Sequence, residues 1–339
     1  MEQTPDSPLA QIPANRRLVD ELHAHGKISP EAKVYALDFL YPADQWGLWI
    51  SRLFLAVGTA LVLSGVVYFF AFNWAKIEPI IKLASLQLAM LLCLGGAYYY
   101  KLERISGQIL LLSASVLTGV FMAVFGQIYQ TGADAYQLFM MWSVLTFGWT
   151  VISNFAAQWV FWLAITNIFL VLWWDQAALP EPDMAGMIFF FVMLLNTVAL
   201  VLREVYLNWK KAEWLDRRWV RLLIVLAVLV PATWPVVMLI FETVSDSFSM
   251  KLSAATGLVG LGGLYALYRF KVRDMWSLAA IALFLCIVLE AAAVRLLGEA
   301  LQGAEIAMFL LMGLATIGIF SAAVIYLRRV IAIIEADHV

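Results

Sequence analysis

Ten apolar runs, separated by short polar stretches, organise the chain. They cover roughly residues 52–73, 79–100, 107–130, 136–153, 157–174, 185–202, 220–241, 252–270, 275–297 and 306–327. Most approach the ~20 residues that a helix rising 1.5 Å per residue needs to cross ~30 Å of hydrocarbon. Backbone groups in hydrocarbon have no water to bond, so a crossing segment satisfies them within its own helix. The pattern predicts an all-α fold: a polytopic transmembrane helical bundle of about ten spans. The runs 136–153 and 157–174 read either as a tight hairpin of two full spans or as one re-entrant pair.

The polar start of the chain predicts a different element. Leu18, Val19 and Leu22 stand at helical spacing and Gly26 follows as a stop. Ser29 and Pro30 then suit the N-cap and first position of a second helix, which carries Val34, Leu37 and Tyr41 and ends at Pro42. The expected organisation is a tail with a short helical hairpin at 1–48, a transmembrane bundle at 49–329 and a C-terminal tail at 330–339. No early apolar stretch resembles a cleavable signal, so the first span is expected to act as an uncleaved anchor. The hairpin either packs beneath the bundle or docks a protein partner.

Composition makes lipid the solvent for most of the chain. Of 339 residues, 63% are hydrophobic and 14% charged, against about half and a quarter in a soluble domain. The positive charges are segregated. With the N-terminus inside, eighteen of the 22 Lys and Arg fall on the inner side; Lys76, Lys82, Lys251 and Arg295 fall outside. The positive-inside rule then places both termini in the cytoplasm. Trp46, Trp49, Trp74, Trp173, Trp174, Trp209, Trp214, Trp219 and Trp276 fall near expected span ends, the position of an aromatic belt. Trp142 and Trp162 lie mid-span and read as packing. The basic and aromatic stretch from Arg203 to Arg221 suits a helix lying on the cytoplasmic leaflet.

Candidate chemistry is sparse. Cys93 and Cys286 lie in apolar runs and read as packing residues, while His23, His25 and His338 lie in the tails. No phosphate-binding glycine loop, zinc-spaced histidine pair or nucleophile elbow is present. The chain is therefore not expected to be an enzyme or to hold a cofactor or metal. No basic face is spaced for nucleic acid.

Polar residues within the runs are the remaining candidates. Gln127, Gln130 and Asp134 stand at i, i+3 and i+7 beside Tyr129, and share one face if the helix continues past Gly132. They either bond neighbouring helices and headgroup water, with Asp134 capping the next span, or line a periplasm-facing ligand cavity. Glu290 falls inside the ninth run, where a carboxylate costs about 2.5–3.5 kcal/mol to insert. It is either hydrogen-bonded between helices or part of a proton or substrate path. Arg295 suits Glu299 at i+4. Asn167, Asn196, Gln87 and Gln158 are expected to pair across helices, and Pro231 and Pro235 to kink the seventh run. Ser253, Gly257, Gly262 and Ala266, and Gly318 with Ala322, read as close-packing surfaces.

The stretch FGQIYQTGADAYQLFMMW, from Phe125 to Trp142, carries Gly126, Gln127, Ile128, Tyr129, Gly132, Asp134 and Trp142. With the opening LVDELHAHGKISPEAKVYALDFL, it resembles domain-of-unknown-function family 2157, over about residues 15–155. The resemblance implies a bacterial inner-membrane protein with a short cytoplasmic hairpin, and brings no activity, substrate or cofactor. The expected function is a binding, scaffold or sensory component whose first partner is the lipid bilayer and whose small-molecule ligand is unspecified. The alternative is a secondary transporter of a small solute using Glu290 and the Gln127, Gln130 and Asp134 face. A reporter fused after Val339 is expected to be active only as a cytoplasmic reporter; activity of a periplasmic reporter there overturns the topology.

Overall fold

The computed structural model describes residues 16–40, 47, 50, 51, 53, 54, 57, 58, 61, 68, 74–210, 212, 214–241 and 247–336. The chain divides into two compact units, Met1–Glu78 and Pro79–Val339. Most of the first expected span, and Tyr41, Pro42, Trp46 and Trp49, lie outside the described residues.

In the first unit, α1 (Arg16–Ala24) and α2 (Pro30–Leu40) pack against each other. Gly26 adopts φ 65°, a left-handed conformation that ends α1 without a Cβ clash. The Ser29 hydroxyl accepts from the Ala32 amide at 3.1 Å, capping α2 as its spacing requires. Lys33 meets Asp20 across the pair at 2.7 Å. Of the expected apolar stripe on α2, Leu37 is half-buried and Val34 is 68% exposed.

The second unit carries nine helices among its described residues. They are α3 (Pro79–Tyr100), α4 (Ile105–Tyr129), α5 (Ala135–Ser153), α6 (Ala156–Trp173), α7 (Met187–Lys210), α8 (Arg218–Ile240), α9 (Phe248–Ala266), α10 (Met275–Ala300) and α11 (Glu305–Ala336). π-helical turns at Trp174–Ala178 and Leu267–Lys271 prolong α6 and α9. All nine are long and apolar enough to cross a membrane. The runs read as either two spans or a re-entrant pair form two separate helices. Asn154 turns the chain between them in a left-handed conformation. The 19 residues of Ala135–Ser153 and the 23 of Ala156–Ala178 reach roughly 28 and 34 Å at 1.5 Å per residue.

Consecutive helices pack in series, and α8 is the hub, touching α6, α7, α9 and α10; α11 leans on α10. The hub position follows from side chains that bury Val220, Ile224, Val225, Val228, Leu229, Ala232 and Val236 in one core. Gly257 lets α9 approach closely, since a Cβ there would sit 3.1 Å from the Ala232 Cβ. Ser253 is buried on the same stripe, but Gly262 and Gly318 border open space and pack nothing. Gly318 and Ala322 instead line an apolar groove of about 410 Å³ with residues of α9 and α10. α8 stays helical through Pro231 and Pro235, so the expected kinks do not break it. Near its end, Arg295 of α10 donates to the Ile240 carbonyl while also holding Glu299 at 2.8 Å.

Polar side chains join the helices where lipid offers nothing to bond. Asn167 and Asn196 exchange amide hydrogen bonds between α6 and α7, at 2.7 and 3.1 Å. Gln158 donates to Ser115 Oγ at 2.8 Å and to Thr150 Oγ1 at 3.3 Å. The two mid-span tryptophans pack and also donate, Trp142 to the Ser115 carbonyl at 2.7 Å and Trp162 to the Ser143 carbonyl at 2.9 Å.

The Trp142 indole lies on Gly119, where an added Cβ would stand 2.2 Å from the ring. Gly119→Ala is expected to displace the indole and cost about 1–3 kcal/mol by overpacking. Gly148→Ala, which meets nothing within 4 Å, is the matched control. Thermal unfolding in detergent checks the pair, and equal midpoints would contradict the close α4–α5 contact.

Candidate functional site

The glutamine-aspartate patch does not form the single face that its spacing allowed. α4 ends at Tyr129, and Gln130 turns left-handed at φ 45°, followed by Gly132 at φ 64°. The turn breaks the helical register before Asp134 is reached. Asp134 does occupy the N-cap position of α5, but its side chain makes no capping bond. Gln127, Tyr129, Gln130 and Asp134 are all exposed. Tyr129 rests against Phe125 with ring centroids 4.6 Å apart. Glu290 faces α11, where Thr316 donates to its Oε2 at 3.2 Å; its Oε1 is buried without a partner. Among the described residues, no hydrogen bond links Glu290 to the patch, and Glu290 lines neither the apolar groove beside Gly318 nor the cavity between α7, α8 and α9.

The most elaborate polar assembly lies elsewhere, at the end of the bundle where α7 and α9 finish and α8 and α10 begin. The stretch expected to form an interfacial helix is instead shared between the last two turns of α7 and the first turn of α8, with residues 212 and 214–217 described between them. This carries Arg203 inward, where it is 3% exposed. A buried guanidinium is tolerated only when carboxylates and carbonyls take up its donors.

Glu204 supplies the centre of that compensation. Its Oε1 lies 2.6 Å from Arg203 Nη1 and 3.2 Å from Arg221 Nε. The buried Tyr268 hydroxyl points to the same oxygen at 3.5 Å. Arg203 Nη2 donates to the Leu215 carbonyl at 2.9 Å, which fixes the connection against α7. Asp216 stands 4.0 Å from Arg203 and 3.6 Å from Arg221. Arg221 reaches Asp274 at 3.4 Å. Asp274 is also the N-cap of α10: its Oδ2 accepts from the Ser277 amide at 2.9 Å and hydroxyl at 2.6 Å. Five charged residues thus tie three helices and a connection together.

A cavity of about 970 Å³ opens beside this cluster, between α7, α8 and α9. Its bundle-end portion carries Glu204, Asn208, Asp216, Arg221 and Lys271. Deeper along the helices the lining is Thr197, Leu200, Val201, Val228 and Leu264, with Gly260 and Gly263. Cβ atoms built on those two glycines meet nothing within 4 Å, so the missing side chains leave space rather than admit a neighbour. Among the described residues, no group of three or more His, Cys, Asp or Glu side chains is placed to hold a metal. The arrangement offers charge at one end and an apolar wall at the other, which suits binding.

Sequence reasoning misses the cluster because Arg203 and Arg221 read there only as charges of an interfacial helix. The usable signal was the Arg203–Glu204 pair inside a continuing helical run. Glu204→Ala is expected to leave two arginines without their shared acceptor and to cost about 3–5 kcal/mol, as for other broken buried pairs. Glu204→Gln, which keeps an acceptor oxygen, costs less. Thermal midpoints of the purified variants check the order, and an Ala variant as stable as the parent would contradict the cluster's role.

No curated protein and no solved structure matches the chain. Residues 20–159 match the family model described as Predicted membrane protein (DUF2157). The match runs from α1 into α6 and ends before the ionic cluster and its cavity begin. With nine described helices able to span a bilayer, the chain is a multi-pass membrane protein, and the match over residues 20–159 supports its resemblance to the DUF2157 family.

Proposed function

We propose that this protein is a binding component of the bacterial inner membrane, scaffold-like or sensory in kind, whose ligand site is the cavity between α7, α8 and α9. The carrying observation is the cavity itself, about 970 Å³, polar at the bundle end and apolar within. Binding pockets typically span about 300–1,000 Å³ and combine an apolar wall with a few placed polar groups. The bias of Lys and Arg supports a cytoplasmic position for both termini and for the charged end of the cavity. The α1–α2 pair offers a surface for a protein partner.

The transport alternative requires a polar route between Glu290 and the Gln127, Gln130 and Asp134 patch. Its one favourable observation is the buried, unpartnered Oε1 of Glu290. The binding reading draws on a whole lined space and is preferred. The absence of a catalytic motif from the sequence keeps enzymatic readings behind both.

Thr197→Cys in a Cys93→Ala background tests the site. In delipidated, detergent-purified protein this thiol is expected to react with a small water-soluble thiol reagent, and Gly263→Leu is expected to block the reaction by filling the cavity. Leu194→Cys, outside the lining, serves as the control. Reaction at Thr197→Cys no faster than at Leu194→Cys overturns the binding reading.

A further inference from the structure

The partners already present at the cavity restrict what its ligand can be. Both arginines of the cluster are paired with Glu204, Asp216 and Asp274, and the one arginine nitrogen left without a partner, Arg203 Nε, is itself buried. Asp216, the exposed carboxylate of the lining, is itself held by Arg221 at 3.6 Å. Lys271 is different: it lines the cavity, is exposed, and has no ion pair or hydrogen bond among the described residues. The Asn208 amide, also in the lining, is likewise unengaged. Lys210, Arg217, Arg218, Arg269 and Arg273 add cationic charge to the same end of the bundle. The open valences at this end therefore favour an anion.

The deep end has an open valence of its own. Seven other helical threonines among the described residues each hold the hydroxyl within hydrogen-bond distance of the carbonyl four positions back. Thr197 makes no such bond and lines the cavity instead. It precedes Asn208 on the same helix by a length of roughly 16 Å at 1.5 Å per residue. Between them the wall is Leu200, Val201, Val228 and Leu264, widened by Gly260 and Gly263. A compact polar metabolite fills the charged end and leaves this wall bare. A wholly apolar molecule leaves Lys271 and Asn208 unanswered.

We infer that the ligand is an anionic glycerophospholipid, its phosphate at Lys271 and Asn208 and an acyl chain along the wall toward Thr197. This rests on the binding reading above and names the chemical class that the site takes. Basic residues at the inner face of a membrane attract anionic headgroups, each contributing a few-fold in affinity. The glycines set the selectivity for a chain, because any side chain at residues 260 or 263 projects into the space where it lies.

The full chain, purified in detergent and titrated with phosphatidylglycerol, phosphatidylcholine or diacylglycerol, tests the assignment by native mass spectrometry. One phosphatidylglycerol per chain is expected to be retained most strongly. Lys271→Ala is expected to weaken it roughly five-fold and Lys271→Arg to restore it. Gly263→Leu is expected to abolish it, and thermal unfolding confirms that the variants are folded. Phosphatidylglycerol is also expected to protect Thr197→Cys from the thiol reagent. Equal retention by the parent, Lys271→Ala and Gly263→Leu proteins would mean unspecific surrounding lipid and overturns the assignment. A reactive Thr197→Cys that phosphatidylglycerol fails to protect overturns the lipid assignment while leaving the binding reading intact. An inert Thr197→Cys removes both.

Discussion

A polar group carried into hydrocarbon has to find its partner inside the protein, and the second unit is arranged around that requirement. The lipid cannot supply hydrogen bonds, so each buried donor or acceptor constrains which helices lie together. Asn167 needs α7 and finds Asn196; Gln158 needs α4 and finds Ser115. Arg203 is the most demanding case, because a guanidinium has five donors and no neutral form to fall back on. Its terminal nitrogens find partners in Glu204 of α7 and the Leu215 carbonyl of the connection to α8, while its buried Nε keeps none.

Satisfying that charge shapes the space next to it. Glu204 and Asp274 turn inward to the arginines, and Tyr268 fills the remaining gap on the α9 side. α8, buried along one face and packed on four neighbours, is held rigidly against them. α9 approaches α8 closely at Gly257 but not at Gly260 and Gly263, where its small residues border the cavity. Glycine has opposite consequences along one helix: contact where a neighbour fills the site, a vacant wall where none does.

The helices of the bundle were legible because hydrophobicity is a local property. The run 79–100 reappears as Pro79–Tyr100, and the other described helices start within about four residues of their runs. The C-terminal ends were less legible. α7 extends to Lys210 and α11 to Ala336, because a helix continues past the apolar stretch when its charges find partners or water. The cap of α2 at Ser29, the Arg295–Glu299 pair and the Asn167 and Asn196 contacts were readable from spacing and residue type. The ionic cluster was not, since its members come from five places between Arg203 and Asp274 and become neighbours only through tertiary packing. The Gln127, Gln130 and Asp134 face failed for a related reason: one left-handed residue at Gln130 outweighs an otherwise regular spacing.

The most direct measurement is a double-mutant cycle on Glu204 and Arg221, comparing the unfolding free energies of Glu204→Gln, Arg221→Gln and the double variant in detergent. If the cluster organises this end of the bundle, the double variant loses clearly less stability than the sum of the single losses, with a coupling within the roughly 0.5–3 kcal/mol typical of residues in one network. Strict additivity would mean that the two side chains act independently, and would contradict the account.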